Sequence, residues 1–220
     1  MPRSKWLYRL SFASPVSVFS GLSVAGLVDR MVMRTVDGLP YIPGSTVKGR
    51  WRFTAERLLR TNGSNPSFKG QGLFCHGENQ PECSLGEGPC TICRLFGCST
   101  RPGIVWVGQA ELEECLRGLI QELLARNPNP VVHPDTELRP GIALSRHLRT
   151  ALGDHLFFDE VLPARLSLAG EVMINDALAP TEEGFLRASA ALTDRLGGRK
   201  AVGRGALRGG IVLSAPGGGS

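Results

Sequence analysis

Tyr41-Ile42-Pro43-Gly44-Ser45-Thr46-Val47-Lys48-Gly49-Arg50-Trp51-Arg52 is a loop that runs straight into a helix. Pro43-Gly44 is turn chemistry, and Ser45 or Thr46 is placed to cap the unpaired N–H groups of the turn that follows. From there Val47, Trp51, Ala55, Leu58 and Leu59 recur at helical spacing as one apolar stripe. Lys48 and Arg52 stand one turn apart on another face, with Arg50 and Arg57 close by. A helix start attracts anions through its unpaired N–H groups and its dipole, so this cluster of cations predicts a phosphate-binding corner. A solvated basic face is the plainer alternative, and on this stretch alone the two readings weigh the same.

The flanking sequence supplies the other elements. Trp6, Tyr8, Leu10 and Phe12 alternate with more polar positions as a half-buried strand that Pro15 ends. Residues 16–37 have no clear period and read as a loop or loose hairpin. Asp29 is the only acid between Met1 and Asp37. Basic surroundings keep it ionised, as a metal ligand or proton acceptor must be, although an ordinary turn aspartate is the commoner role. Residues 104–107 form a buried strand, and residues 111–126 an amphipathic helix broken by Asn127-Pro128-Asn129-Pro130. Residues 131–144 are extended, and a polar stretch with Arg146, His147, Arg149, Asp154 and His155 reads as a surface loop. A strand at 165–174 and a helix at 181–196 follow.

Strand, helix, strand, strand, helix, strand predicts an α+β fold: a ferredoxin-like, RRM-like βαββαβ core. Insertions at 61–103 and 111–163 interrupt it. The aromatic Gly-Phe signature by which an RRM stacks bases on its sheet is absent, so ordinary RRM recognition is not supported. At 220 residues and a net charge of +5, the chain suits one domain over 1–214 with a lean toward polyanions. Residues 215–220, Ala-Pro-Gly-Gly-Gly-Ser, read as a flexible tail. No apolar run spans a bilayer, and no signal-peptide core follows Met1. The expectation is a cytoplasmic protein that contacts no membrane and keeps its six cysteines out of structural disulfides.

Four of those cysteines crowd a turn-rich stretch that cannot build its own core: Cys75, Cys83, Cys90 and Cys93. Thiolates in this pattern suit a closed, structural tetrahedral Zn²⁺. His76 is an alternative to Cys75, and reduced thiols or a redox CxxC are the alternatives to zinc. Cys98 and Cys115 read as core cysteines. Near the end, Leu196-Gly197-Gly198-Arg199-Lys200-Ala201-Val202-Gly203-Arg204-Gly205 mixes glycines with cations ahead of a strand at 211–213. Glycine permits close backbone approach and the cations neutralise phosphates. It is neither a P-loop nor a dinucleotide fingerprint, and a mobile surface loop is the competing reading.

Taken in order, Pro43-Gly44-Ser45-Thr46-Val47-Lys48-Gly49 with Arg52, Cys90-Thr91-Ile92-Cys93-Arg94-Leu95-Phe96-Gly97, Gly141-Ile142-Ala143-Leu144-Ser145-Arg146, Leu156-Phe157-Phe158-Asp159-Glu160 and the late glycine-rich loop resemble one family. The chain is similar to the RAMP superfamily, and within it to the repeated backbone subunit of type III CRISPR effector complexes of the Csm and Cmr kind. The resemblance implies a modified ferredoxin-like palm with a zinc-containing lid and a thumb hairpin, the thumb lying within residues 127–138. It implies binding of a guide crRNA along a helical filament of further copies, beside a large polymerase- or nuclease-like subunit, a small subunit and capping RAMP subunits. Ser45, Thr46, Lys48, Arg50 and Arg52, with Gly197, Gly198, Arg199, Lys200 and Arg204, would hold the guide. Asp29 matches the place of the family's catalytic aspartate, with Asp37 second. The implied reaction is cleavage of target RNA with Mg²⁺ or Mn²⁺, the 2′-hydroxyl attacking the adjacent phosphate. The alternatives are a non-catalytic backbone subunit, or a free-standing endoribonuclease that processes guide precursors with a histidine such as His147 or His155.

Overall fold

The computed structural model describes residues 4–24, 27–62, 89–127, 130, 132–145, 147–164 and 166–214. Its centre is strand β1 (Ser4–Phe12), where Trp6, Tyr8, Leu10 and Phe12 are buried and the residues between them stay at the surface. That alternation follows from the two-residue period of a strand covered on one face only. In chain order there follow β2 (Tyr41–Ile42), α1 (Gly44–Asn62), α2 (Thr91–Phe96), β3 (Gly97–Cys98), β4 (Arg101–Pro102), β5 (Val105–Val107) and β6 (Ala110–Leu112). After them come α3 (Glu114–Arg126), β7 (Glu137–Ser145), β8 (Thr150–Val161), β9 (Ser167–Ile174), α4 (Pro180–Ala191) and β10 (Leu207–Ser214).

β1 lies between β9 and β10, antiparallel to both. β5 and β6 pair with successive parts of β9, so they are one edge strand interrupted at Gly108-Gln109. β2 closes that edge through Tyr41 and Glu111. The sheet order is therefore β10-β1-β9-(β5, β6)-β2. With α1 following β1 and α4 following β9, this mixed α+β arrangement is compatible with a ferredoxin-like fold.

α1 and α4 cover the sheet's inner face. Trp51 of α1 is fully buried; its Nε1 donates to Ser189 Oγ on α4 at 2.9 Å and its ring meets Phe96 of α2 edge-on at 5.6 Å. Gly44 explains how α1 starts so close to the sheet: a Cβ there would overlap the Val107 carbonyl. Tyr8 crosses the inner face and donates to the Gly108 carbonyl at 2.6 Å, bridging the edge-strand break; burial raises its phenol far above the ordinary value.

Several boundaries differ from those expected. Glu111 and Leu112 belong to β6, and α3 starts at Glu114. Its leucine stripe is mostly at the surface, with Ile120 its buried residue. α4 ends at Ala191, short of 196. The stretch read as a polar loop around residues 147–155 is the tip and second strand of the β7–β8 hairpin. That hairpin is a separate two-stranded sheet, and its Ile142, Leu144, Leu148 and Leu156 are exposed. Beyond its buried base at 159–161, the pair is exposed on both faces and lacks the alternation from which a strand is read. Its base is tied to the body by Leu162 pairing with Val16, and by Glu160 N–H donating to the Arg30 carbonyl at 2.9 Å.

Candidate nucleic-acid interface

The start of α1 and the glycine-rich loop meet. Ser45, Thr46, Gly49, Arg50 and Phe53 form one wall of an open groove of about 500 Å³. Gly197, Gly198 and Lys200 form the other, with Ser17 and Phe19 also lining it. α1 begins at Gly44, and the N–H groups of Thr46 and Val47 point back to the Pro43 carbonyl at 3.0 and 3.3 Å. Ser45 and Thr46 are thus not caps; they sit inside the first helical turn and line the groove.

The loop is held in place along residues 13–17. Ala13 N–H donates to the Ala206 carbonyl, Gly205 N–H to that of Pro15 and Gly198 N–H to that of Ser17, at 2.7–2.8 Å. Gly197 has φ +84°, and a Cβ there would come within 2.5 Å of the Ser17 carbonyl oxygen. Only glycine lets the two segments lie this close. Lys200 is exposed and donates to the Gly197 carbonyl at 2.8 Å. Arg50 donates to the Arg195 carbonyl and to Asp194, and lies 4.7 Å from the Phe53 ring. The groove therefore has two cations, an exposed aromatic ring and three hydroxyl residues, a combination suited to a sugar–phosphate chain with stacked bases.

Lys48 and Arg52 do not line it. Lys48 Nζ donates to the Val105 carbonyl at 2.8 Å, and Arg52 bonds the Gly97 carbonyl and Glu56, each at 2.8 Å. Burial first, and the neighbouring Arg52 charge second, hold the Lys48 ammonium below the ordinary lysine pKa. These two cations join α1 to the sheet edge and to the end of α2.

The other two predicted cations turn inward at one end of the groove. Arg199, with φ +51°, and Arg204 approach Oδ2 of Asp159 at 2.9 and 2.8 Å, and Arg204 also bonds Ser17 Oγ. Arg30 approaches the other oxygen at 3.9 Å. Asp159 is fully buried. Arg30 stands 5.5 Å from the Phe19 ring and 5.6 Å from that of Phe157, over which Arg199 also sits at 4.2 Å.

Asp29 is exposed beside this cluster, at the base of the hairpin. Its Oδ2 accepts from Phe158 N–H at 2.7 Å, and its own N–H donates to the Phe158 carbonyl at 2.9 Å. The carboxylate is thereby fixed one residue from Arg30. Asp37 lies in the exposed turn that leads to β2. Among the described residues no group of three or more His, Cys, Asp or Glu side chains is arranged to hold a metal ion.

Cys75 and Cys83 lie outside the described residues. Cys90 and Cys93 are buried where α2 begins, and Cys93 N–H donates to Cys90 Sγ at 3.4 Å. A buried CxxC pair at a helix start fits half of a four-thiolate site. Cys115 is exposed and not a core residue, while the half-buried Cys98 packs against the core's edge with its thiol against Thr100. That bond, with a lesser one to Cys93, holds the Cys98 thiol below the ordinary cysteine pKa.

The family model described as the RAMP superfamily matches residues 9–208. The chain belongs to the RAMP superfamily. No curated protein matches it. Membership associates the chain with CRISPR-associated RNA-binding complexes, and no described helix is long and apolar enough to cross a membrane. The matched span of this RAMP chain includes both walls of the groove, Asp29 and the hairpin. Ser17, Phe19, Arg30, Phe157 and Asp159 went unassigned as site residues because nothing in their spacing joins them. Three separate segments bring them together, and the one available signal was Phe157 and Asp159 standing in a family-like run.

Proposed function

We propose that this RAMP protein is a backbone subunit of a type III CRISPR effector complex that holds a guide crRNA and cuts the paired target RNA. The observation that carries the proposal is the convergence of Ser45, Thr46 and Arg50 with Gly197, Gly198 and Lys200 on one groove. In this reading the groove follows the guide's sugar–phosphate chain, so the protein senses backbone and shape while base pairing supplies sequence choice. The β7–β8 hairpin is the thumb, set further along the chain than residues 127–138, and it parts neighbouring nucleotides. Copies of the chain line up along the guide beside the large, small and capping subunits. Cys90 and Cys93 are half of a structural Zn²⁺ site that Cys75 and Cys83 complete.

Asp29 is the catalytic residue of this reading. Its carboxylate, locked to the Phe158 backbone on an exposed edge, orients the target's 2′-hydroxyl toward the adjacent phosphate. A divalent ion held by Asp29 would neutralise the charge that grows on the phosphate oxygens. One carboxylate falls short of a two-metal site, so positioning by the kinked strand supplies much of the rate.

The test is an effector complex reassembled with Asp29→Ala. Guide and target should bind as before, while target cleavage falls by about a hundredfold or more. Cut sites and rates that match the unaltered complex would leave the chain a purely structural backbone subunit.

A further inference from the structure

Three arginines from two distant segments converge on Asp159, which contributes a single buried carboxylate. Among the described residues, no other carboxylate forms an ion pair with any of the three. Two positive charges are therefore left in excess. Asp159 Oδ1 accepts no hydrogen bond among the described residues, although it is buried. A cluster that served only to pin these segments would need no such surplus, because uncompensated guanidiniums near a buried site are costly. The surplus is also directed: the Arg30 side chain is 46 % exposed and Arg199 27 % exposed. Both stand over Phe157, a platform that limits their rotamers. Ser17 and Phe19 belong to both the cluster and the groove, so the cluster continues the groove toward Asp29.

We propose that Arg30 and Arg199, held by the buried Asp159, form a second phosphodiester subsite at the hairpin base, with Asp159 as its positioning residue. This rests on the RNA-binding reading of the groove. The ligand is one backbone phosphate of a single strand that already occupies the groove. Asp159 accepts a hydrogen bond from Arg204 and pairs by charge alone with Arg199 Nε at 2.9 Å, so it holds Arg199 in place while that buried Nε makes no hydrogen bond of its own among the described residues. Its role is opposite in sign to a plain counter-charge. A counter-charge weakens anion binding, whereas a positioning carboxylate strengthens it despite its own negative charge.

The experiment measures binding of the full chain to a fluorescent oligouridine over a range of salt concentrations. Asp159→Asn raises the net charge, yet it is expected to weaken binding about fivefold or more and to flatten the salt dependence by one to two phosphate contacts, ~0.7 in slope for each. Equal or tighter binding by Asp159→Asn overturns the proposal. Because Asp159 is buried, Arg30→Gln is the second variant: it alters a half-exposed side chain and should remove about one contact from the slope. An unchanged slope there also overturns the proposal. In the Asp159→Asn background, Arg199→Gln should cost nothing further, whereas alone it should weaken binding about as much. If the unaltered chain fails to bind, the groove reading fails with it; if it binds and the variants bind equally well, only the second subsite fails.

Discussion

Asp159 and Glu160 are neighbours on β8 and face opposite electrostatic surroundings. Glu160 takes a bond from Arg34 at 2.7 Å, one from Thr136 at 2.7 Å and one from Val32 N–H at 2.8 Å. Arg34 is shared with Asp135, so one guanidinium meets two carboxylates. One residue earlier the ratio reverses, with three guanidiniums around a single carboxylate. The first network ties the hairpin base to residues 32–38 and has no cation in excess; the second has two. Charges matched by their partners hold the fold, and charges in excess remain available to a ligand. On α1 the division is one of place: Lys48 and Arg52 reach carbonyls at the sheet edge and the end of α2, while Arg50, bonded to the Arg195 carbonyl and Asp194, borders the open groove.

The sharpest break in this comparison is Glu160→Ala. Arg34, only 11 % exposed, keeps Asp135 but loses its second carboxylate, and the Val32 N–H loses its buried acceptor, so the change should cost about 3 kcal/mol in urea unfolding. The same network sets a pH dependence. Burial pushes the Glu160 carboxyl up, but bonds from Thr136, Val32 and Arg34 and the Arg34 charge outweigh it and hold its pKa below the ordinary value. Its folded pKa thus lies under its unfolded one, ~4.3. The stabilisation is complete above the unfolded value and is lost as pH falls through the folded one. Unfolding midpoints taken between neutral pH and pH ~3 should drop less for Glu160→Gln than for the unaltered chain.

Smaller effects separate the two sides of α1. Lys48→Met leaves the Val105 carbonyl without its partner and should cost about 1–2 kcal/mol. RNA affinity should stay within about twofold, because that ammonium does not border the groove. Gly49→Ala has the reverse signature. A Cβ at Gly49 meets nothing within 4 Å, so the helix should gain about 0.5–1 kcal/mol while a methyl intrudes on the groove wall. Thermal unfolding and RNA titration of one sample would show stability and affinity moving in opposite directions.

What was legible in the sequence is what has one buried face. β1 and α1 each present a single apolar side to the core, and their periods named them. Most of β7 was read as extended, but β8 and the hairpin tip were missed because leucines stand exposed along them. Glu111 and Leu112 read as helix because the leucines that follow share a 3.6-residue rhythm, while pairing with β9 decides otherwise. The meeting of the Pro43–Arg52 stretch and the glycine-rich loop was implied by the family resemblance; composition showed only that both combine turn residues with cations. Which cations serve the groove was not legible: Lys48 and Arg50 look alike in sequence and both donate to a backbone carbonyl, and what tells them apart is where that carbonyl lies, Val105 on the sheet edge or Arg195 before the glycine-rich loop.

The most direct measurement is single-stranded RNA affinity of the full chain with Arg50→Ala and Lys200→Ala together, set beside Lys48→Met. The groove account predicts about tenfold or greater weakening for the pair and near-unaltered binding for Lys48→Met, with the fold intact in both. Equal losses from the two, or a loss only from Lys48→Met, would contradict it.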